Sequence, residues 1–169
     1  MKVSMSALCG RSWRLIATAR LVRIALMALF VNFVSIPAMA ASVEMLMTSG
    51  CSCCHAWARH LRAAGHTVTA KNLSMGQLMR AKLDAGIPAM STACHTARLD
   101  QYVIEGHVPV REIRRLLVER PDAIGLVVPR MPIGSPGMEA GNQRDAYDVM
   151  LIKRDGTMEI FERYPALQD

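Results

Sequence analysis

An α/β fold is predicted from residue 43 onward, on two observations. Short β-forming runs alternate with stretches whose apolar residues recur at helical spacing. The joints between them carry glycines, prolines and capping residues, with no internal repeat and no low-complexity tract. The chain has 169 residues, which suits one domain plus a short accessory segment.

Val43 to Met47 alternates loosely and predicts a first strand, with a turn at Thr48-Ser49-Gly50. A helix is predicted over 53–64, where Trp57, Leu61 and Ala64 share a face, and Gly65 stops it. Thr67 to Leu73 is rich in β-formers and reads as a second strand. Ser74 and Gln77 match a capping box, in which each side chain satisfies a free amide of the other residue. The helix they open carries Leu78, Met79 and Leu83 to Gly86, with Pro88 beyond. Ala93-Cys94-His95 falls in the next loop and leads to a hairpin, Thr96 to Leu99 and Tyr102 to Glu105. Pro109 suits the first turn of a helix that buries Val110, Ile113, Leu116 and Leu117, and Pro121 stops it. Arg111, Glu112, Arg114 and Arg115 read as its solvated face. Pro and Gly crowd residues 128–142, which predicts an ordered surface loop. Asp155-Gly156 turns a closing hairpin, Tyr147 to Lys153 and Thr157 to Phe161. Strand, cysteine-bearing helix, strand, helix, hairpin, helix resembles a thioredoxin-like layout.

The formal charge of +6 is unevenly distributed. Lys2, Arg11, Arg14, Arg20 and Arg23 lie in the first forty residues, which hold no acid. The remaining fifteen Lys and Arg face fourteen Asp and Glu, so the body has no basic surplus for a nucleic-acid surface. After Arg23, an apolar run from Ile24 to Val34 precedes Pro37 and the small-x-small pattern Ala38-Met39-Ala40. This is the signature of an export signal, residues 1–40, with Ala41 as the mature N-terminus. The run is shorter than the ~20 residues that span a bilayer, so no stable membrane anchoring is expected. The body, 41–169, is expected in a periplasm.

Cys9 leaves with the signal, so the mature chain keeps Cys51, Cys53, Cys54 and Cys94. Four cysteines in an oxidising compartment usually suggest two disulfides, but three of these fall within four residues. At a helix start, free backbone N–H groups and the helix dipole favour thiolates. Thiolates are soft ligands that suit Cu(I), zinc or iron–sulfur clusters. Three close sulfurs joined by Cys94 can surround a small metal–thiolate core. Equal numbers of Cu(I) and thiolate make that core neutral, which lowers its cost of burial. Two alternatives stand beside copper. Cys51 and Cys54 have the spacing of a redox disulfide, and four cysteines can also hold zinc.

Longer motifs cover nearly all of the mature chain in order: Cys51-Ser52-Cys53-Cys54, residues 91–97 (Ser-Thr-Ala-Cys-His-Thr-Ala), residues 102–109 (Tyr-Val-Ile-Glu-Gly-His-Val-Pro), residues 120–126 (Arg-Pro-Asp-Ala-Ile-Gly-Leu) and residues 131–139 (Met-Pro-Ile-Gly-Ser-Pro-Gly-Met-Glu). In these the chain resembles the CopG-like family of small exported metal-binding proteins. Ser52 and Gln101 depart from that pattern, each standing where glycine is usual. The resemblance implies a thioredoxin-like metal-binding domain, copper handling and resistance in the periplasm, and a multinuclear Cu(I)–thiolate cluster on Cys51, Cys53, Cys54 and Cys94. Copper ions, and other periplasmic copper-handling proteins, are the partners it implies.

His95 and His107 can each ligate metal or position a thiolate, and the positioning role is the one expected. His55 is expected to point outward, and His60 and His66 to lie on the surface. Nine of the thirteen methionines remain in the mature chain. Met131 and Met138, held in the Pro/Gly loop, are the pair best placed to lie over the cluster, although softness alone is a weak warrant against ordinary packing. Met45, Met47, Met79 and Met150 follow strand or helix patterns and read as core. No Ser/His/Asp set, phosphate loop or paired-carboxylate arrangement points to an enzyme acting on an organic substrate.

Overall fold

The computed structural model describes residues 41–167; the export signal expected at 1–40, Cys9 included, lies outside the described residues. Among the described residues, seven strands form one mixed sheet with three α-helices around it. In chain order these are β1 (Ser42–Met47), α1 (Ser52–Ala63), β2 (Thr67–Asn72), α2 (Met75–Asp84), β3 (His95–Leu99), β4 (Tyr102–Glu105), α3 (Val110–Glu119), β5 (Ala123–Val127), β6 (Tyr147–Lys153) and β7 (Met158–Tyr164). The strands lie in the order β2-β1-β3-β4-β5-β6-β7. β1 runs parallel to β2 and antiparallel to β3, while β4 runs parallel to β5. The ends of β1, β4 and β5 and the start of β3 therefore meet at one end of the sheet.

The period-two alternation of strands divides the core. Leu99, Tyr102, Ile104, Leu126, Val149 and Leu151 pack with Trp57 and Leu61 of α1 and Ile113, Leu116 and Leu117 of α3. Val103, Val127 and Ile152, their sequence neighbours, pack instead with Ile87, which follows α2. The capping box opens α2 as predicted: Ser74 accepts from the Gln77 amide, and Gln77 accepts from the Ser74 amide.

One element was not expected, and three expectations are corrected. β5 has no counterpart in the predicted element order; it is a short run buried between β4 and β6, where no alternation survives to announce it. Met79 is 36% exposed, because the buried stripe of α2 is Leu78 and Lys82. His66 is buried at 5%, with the Ala41 amide donating to its Nδ1 at 3.3 Å. Glu112 is buried at 1%. It accepts from Arg111 Nε at 2.6 Å and from the Tyr164 hydroxyl at 2.7 Å, since β7 runs on past Phe161 to cover it.

Candidate metal centre

β1 delivers the chain to the turn at 48–50, and Cys51 takes the N-cap position of α1 with no side-chain cap bond. Ser52 fits as the first helical residue. Cys53 is half-buried, and Cys54 is fully buried in the core. One helical turn separates Cys51 and Cys54, whose sulfurs are joined as a disulfide across 5.3 Å between Cα atoms. Cys53 stands beside it as a free thiol.

Cys94 arrives from the other side. Its neighbour His95 opens β3 opposite Met47, the last residue of β1. That register brings Cys94 to the end of β1 where α1 begins. The Cys53 Sγ lies 3.5 Å from Cys51 Sγ and 3.6 Å from Cys94 Sγ. All four sulfurs fall within 4.8 Å of one another. A metal–thiolate bond of about 2.3 Å separates two sulfurs on one metal by at most about 4.6 Å. The four residues are thus close enough to hold a metal ion between them once the disulfide is reduced. Cys94, His95 and His107 form a second convergent set.

The two histidines are fully buried. His107 Nδ1 lies 2.8 Å from the Pro136 carbonyl, which only accepts, so Nδ1 carries the proton. Its bare Nε2 faces Cys94 Sγ at 3.1 Å. Burial lowers the pKa of both imidazoles, that of His95 further. His95 packs on the Trp57 ring at 4.4 Å between centroids, with Nδ1 at 3.7 Å from Cys94 Sγ. Burial pushes the Cys94 thiol up to about 12, reinforced by the contact with Cys53. Without metal, Cys94 is thus a neutral S–H donor to His107. The thiolate-favouring field expected at the helix start does not govern this fourth sulfur, which lies off the helix.

The Pro/Gly loop packs against the start of α1 and against His107. Gly137 (φ +87°) sits where a Cβ would come 2.7 Å from the Trp57 amide and 2.8 Å from the Cys53 carbonyl, so only glycine allows this approach. Glu139 pins the loop to α1, accepting from the Gly137 amide at 2.8 Å and bonding His60 at 2.7 Å. Met138 follows Gly137 directly. Met131 lines a groove with Asp145, Tyr147, Met150 and Met158.

A solved structure of a copper resistance protein CopG shares 38% identity with this chain at a TM-score of 0.69. The match covers 73% of this chain and 97% of that one. This chain belongs to the CopG family. A second form of the same protein matches at the same identity and TM-score, over 74% of this chain and 98% of that chain. A family described as a protein of unknown function, DUF411, matches residues 91–138. No curated protein matches. The DUF411 match spans Cys94, His95, Glu105, His107 and the Pro/Gly loop to Met138, but not the cysteines of α1.

The four cysteines and the two histidines named from the sequence converge here. Lys82 and Glu105 were missed; they bond each other beneath Cys94 and are 1% and 0% exposed. The Pro136 carbonyl was missed as well. A lysine on the apolar stripe of a helix and a glutamate amid Tyr-Val-Ile were the available signals for the pair.

Proposed function

We propose that the chain is an exported, periplasmic copper-binding protein. In its reduced form it holds several Cu(I) ions as a thiolate cluster on Cys51, Cys53, Cys54 and Cys94, in copper resistance or trafficking. The observation that carries this reading is Cys53, whose sulfur stands between those of Cys51 and Cys94 at 3.5 and 3.6 Å. Such a placement suits a bridging thiolate. The CopG relative supports the choice of metal, and soft sulfur donors favour Cu(I) over harder cations. Copper is the cargo here, and His95 and His107 hold and shield the Cys94 sulfur. The β2-β1-β3-β4 order, with helices between β1 and β2 and after β2, supports a thioredoxin-like reading of the fold.

A second reading rests on the Cys51–Cys54 disulfide: a thiol–disulfide or copper redox protein that uses this pair. A dithiol reductant, itself oxidised to a disulfide, supplies the two electrons and two protons that convert the pair to the two thiols completing the ligand set, so loading of the four-cysteine site requires that reduction. Anaerobic titration of the reduced mature chain with Cu(I) against a chelator, beside a disulfide-reductase assay, separates the two. More than one Cu(I) per chain with sulfur-dominated X-ray absorption supports the cluster. Tight one-to-one zinc that copper cannot displace, or strong reductase turnover with no copper loading, overturns it. Recovery of a full-length, membrane-bound product would overturn export with cleavage near Ala41.

A further inference from the structure

Cys94 enters the cluster from a residue held on both sides by one buried ion pair. The Ala93 amide donates to Glu105 Oε1 at 2.6 Å. The Ala93 carbonyl accepts from Lys82 Nζ at 2.9 Å, and Lys82 and Glu105 bond each other. These groups belong to the peptide planes before and after Ala93, so holding both fixes the direction in which the chain reaches Cys94. Gly106 closes the remaining side. Its φ is +71°, and a Cβ there would come 2.7 Å from Ala93 Cβ. The next residue is His107, whose Nε2 faces the Cys94 sulfur. Glu105 thus anchors both the approach to the thiol and the strand end that presents its imidazole.

A buried ion pair is a poor way to stabilise a core, since apolar residues of similar volume do as well or better. This pair is costlier than most, because Glu105 Oε2 has no hydrogen-bond partner among the described residues. We propose that Lys82 and Glu105 are positioning residues for the metal centre, holding Ala93 so that Cys94 Sγ stands against Cys53 before any metal arrives. The proposal rests on reading Cys94 as a copper ligand.

The test uses two double variants, because a single substitution leaves an unpaired buried charge. Lys82→Met/Glu105→Leu removes the clamp. Lys82→Met/Glu105→Gln keeps an acceptor for the Ala93 amide. Three quantities are measured on the reduced mature chain: the melting temperature, the rate at which iodoacetamide modifies Cys94 without metal, and Cu(I) affinity by chelator competition. The Leu-bearing variant is expected to melt near the wild type. It should alkylate Cys94 about 10-fold faster and bind Cu(I) about 10-fold more weakly, the loss expected when a ligand's supporting partner goes. The Gln-bearing variant should fall between. Wild-type alkylation and affinity in a folded Leu-bearing variant overturn the proposal. If that variant does not fold, the Gln-bearing one decides on the same two readings. Failure of both to fold also overturns it, since the pair would then be needed for the fold itself. If the wild type bound no Cu(I), the copper reading would fail, yet the alkylation rates would still decide the clamp.

Discussion

On the helix side of the cluster, three sulfurs come from four consecutive residues at the start of α1, and two of them close a disulfide within one turn. On the strand side, a single sulfur comes from the approach to β3, surrounded by His95, His107 and the Ala93 peptide that Lys82 and Glu105 hold. The helix side needs little beyond its own backbone to bring its thiols together. The strand side exists only when α2, β4 and the Pro/Gly loop are all in place. The helix side should therefore tolerate distant change, while the strand side should report on the whole fold.

The largest effect expected is from breaking the join between the two sides. Cys94→Ser should reduce loading from more than one Cu(I) per chain to at most one, by chelator competition. Its effect on stability should be about 1 kcal/mol or less, because the thiol is only partly buried. Cys53→Ser should do the same, since its sulfur lies between the other two. In both variants the Cys51–Cys54 disulfide should still form, as thiol counting would show. Wild-type loading in Cys94→Ser would mean that the helix side alone carries the metal.

Acid should distinguish the sides next. Burial lowers the pKa of His95 and His107 in the folded chain, whereas on unfolding they return to about 6.5. The unfolded chain then binds protons that the folded chain refuses. Their contribution to stability is complete above pH 6.5 and is lost as the pH falls below it. The melting temperature of the metal-free protein should drop by several degrees between pH 7.5 and 5.5. His95→Leu should make that slope shallower, while Cys53→Ser should leave it unchanged.

His107→Ala should weaken Cu(I) binding about 10-fold without changing the number of ions, because it removes a group that orients the Cys94 sulfur. The smallest effect is expected from Met131→Ala. Its side chain lines a groove that no cysteine borders, so copper affinity and loading should match the wild type. A clear loss there would extend the centre beyond the two sides compared above.

Legibility followed sequence distance. The Cys-Ser-Cys-Cys run, the capping box of α2 and the Asp155-Gly156 turn are local, and their chemistry is carried by residues a few positions apart. β5 was harder to read because a strand buried on both sides shows no alternating pattern. Glu112 and His66 were misread because their burial depends on Tyr164 and Ala41, at 52 and 25 residues' distance.

The sequence alone determined the α/β class, the helix start that groups three thiols, and the identity of the fourth thiol and its neighbouring imidazoles. Backbone propensity, capping and ligand softness are properties of residues and short segments. Only the tertiary structure decided that Cys94 stands 3.6 Å from Cys53. It also decided that His107 turns its bare nitrogen toward that sulfur, and that Lys82 and Glu105 hold the peptide before it. These are matters of strand register and of burial: the antiparallel pairing of β1 with β3 sets the distance, and exclusion of water makes the paired charges seek each other.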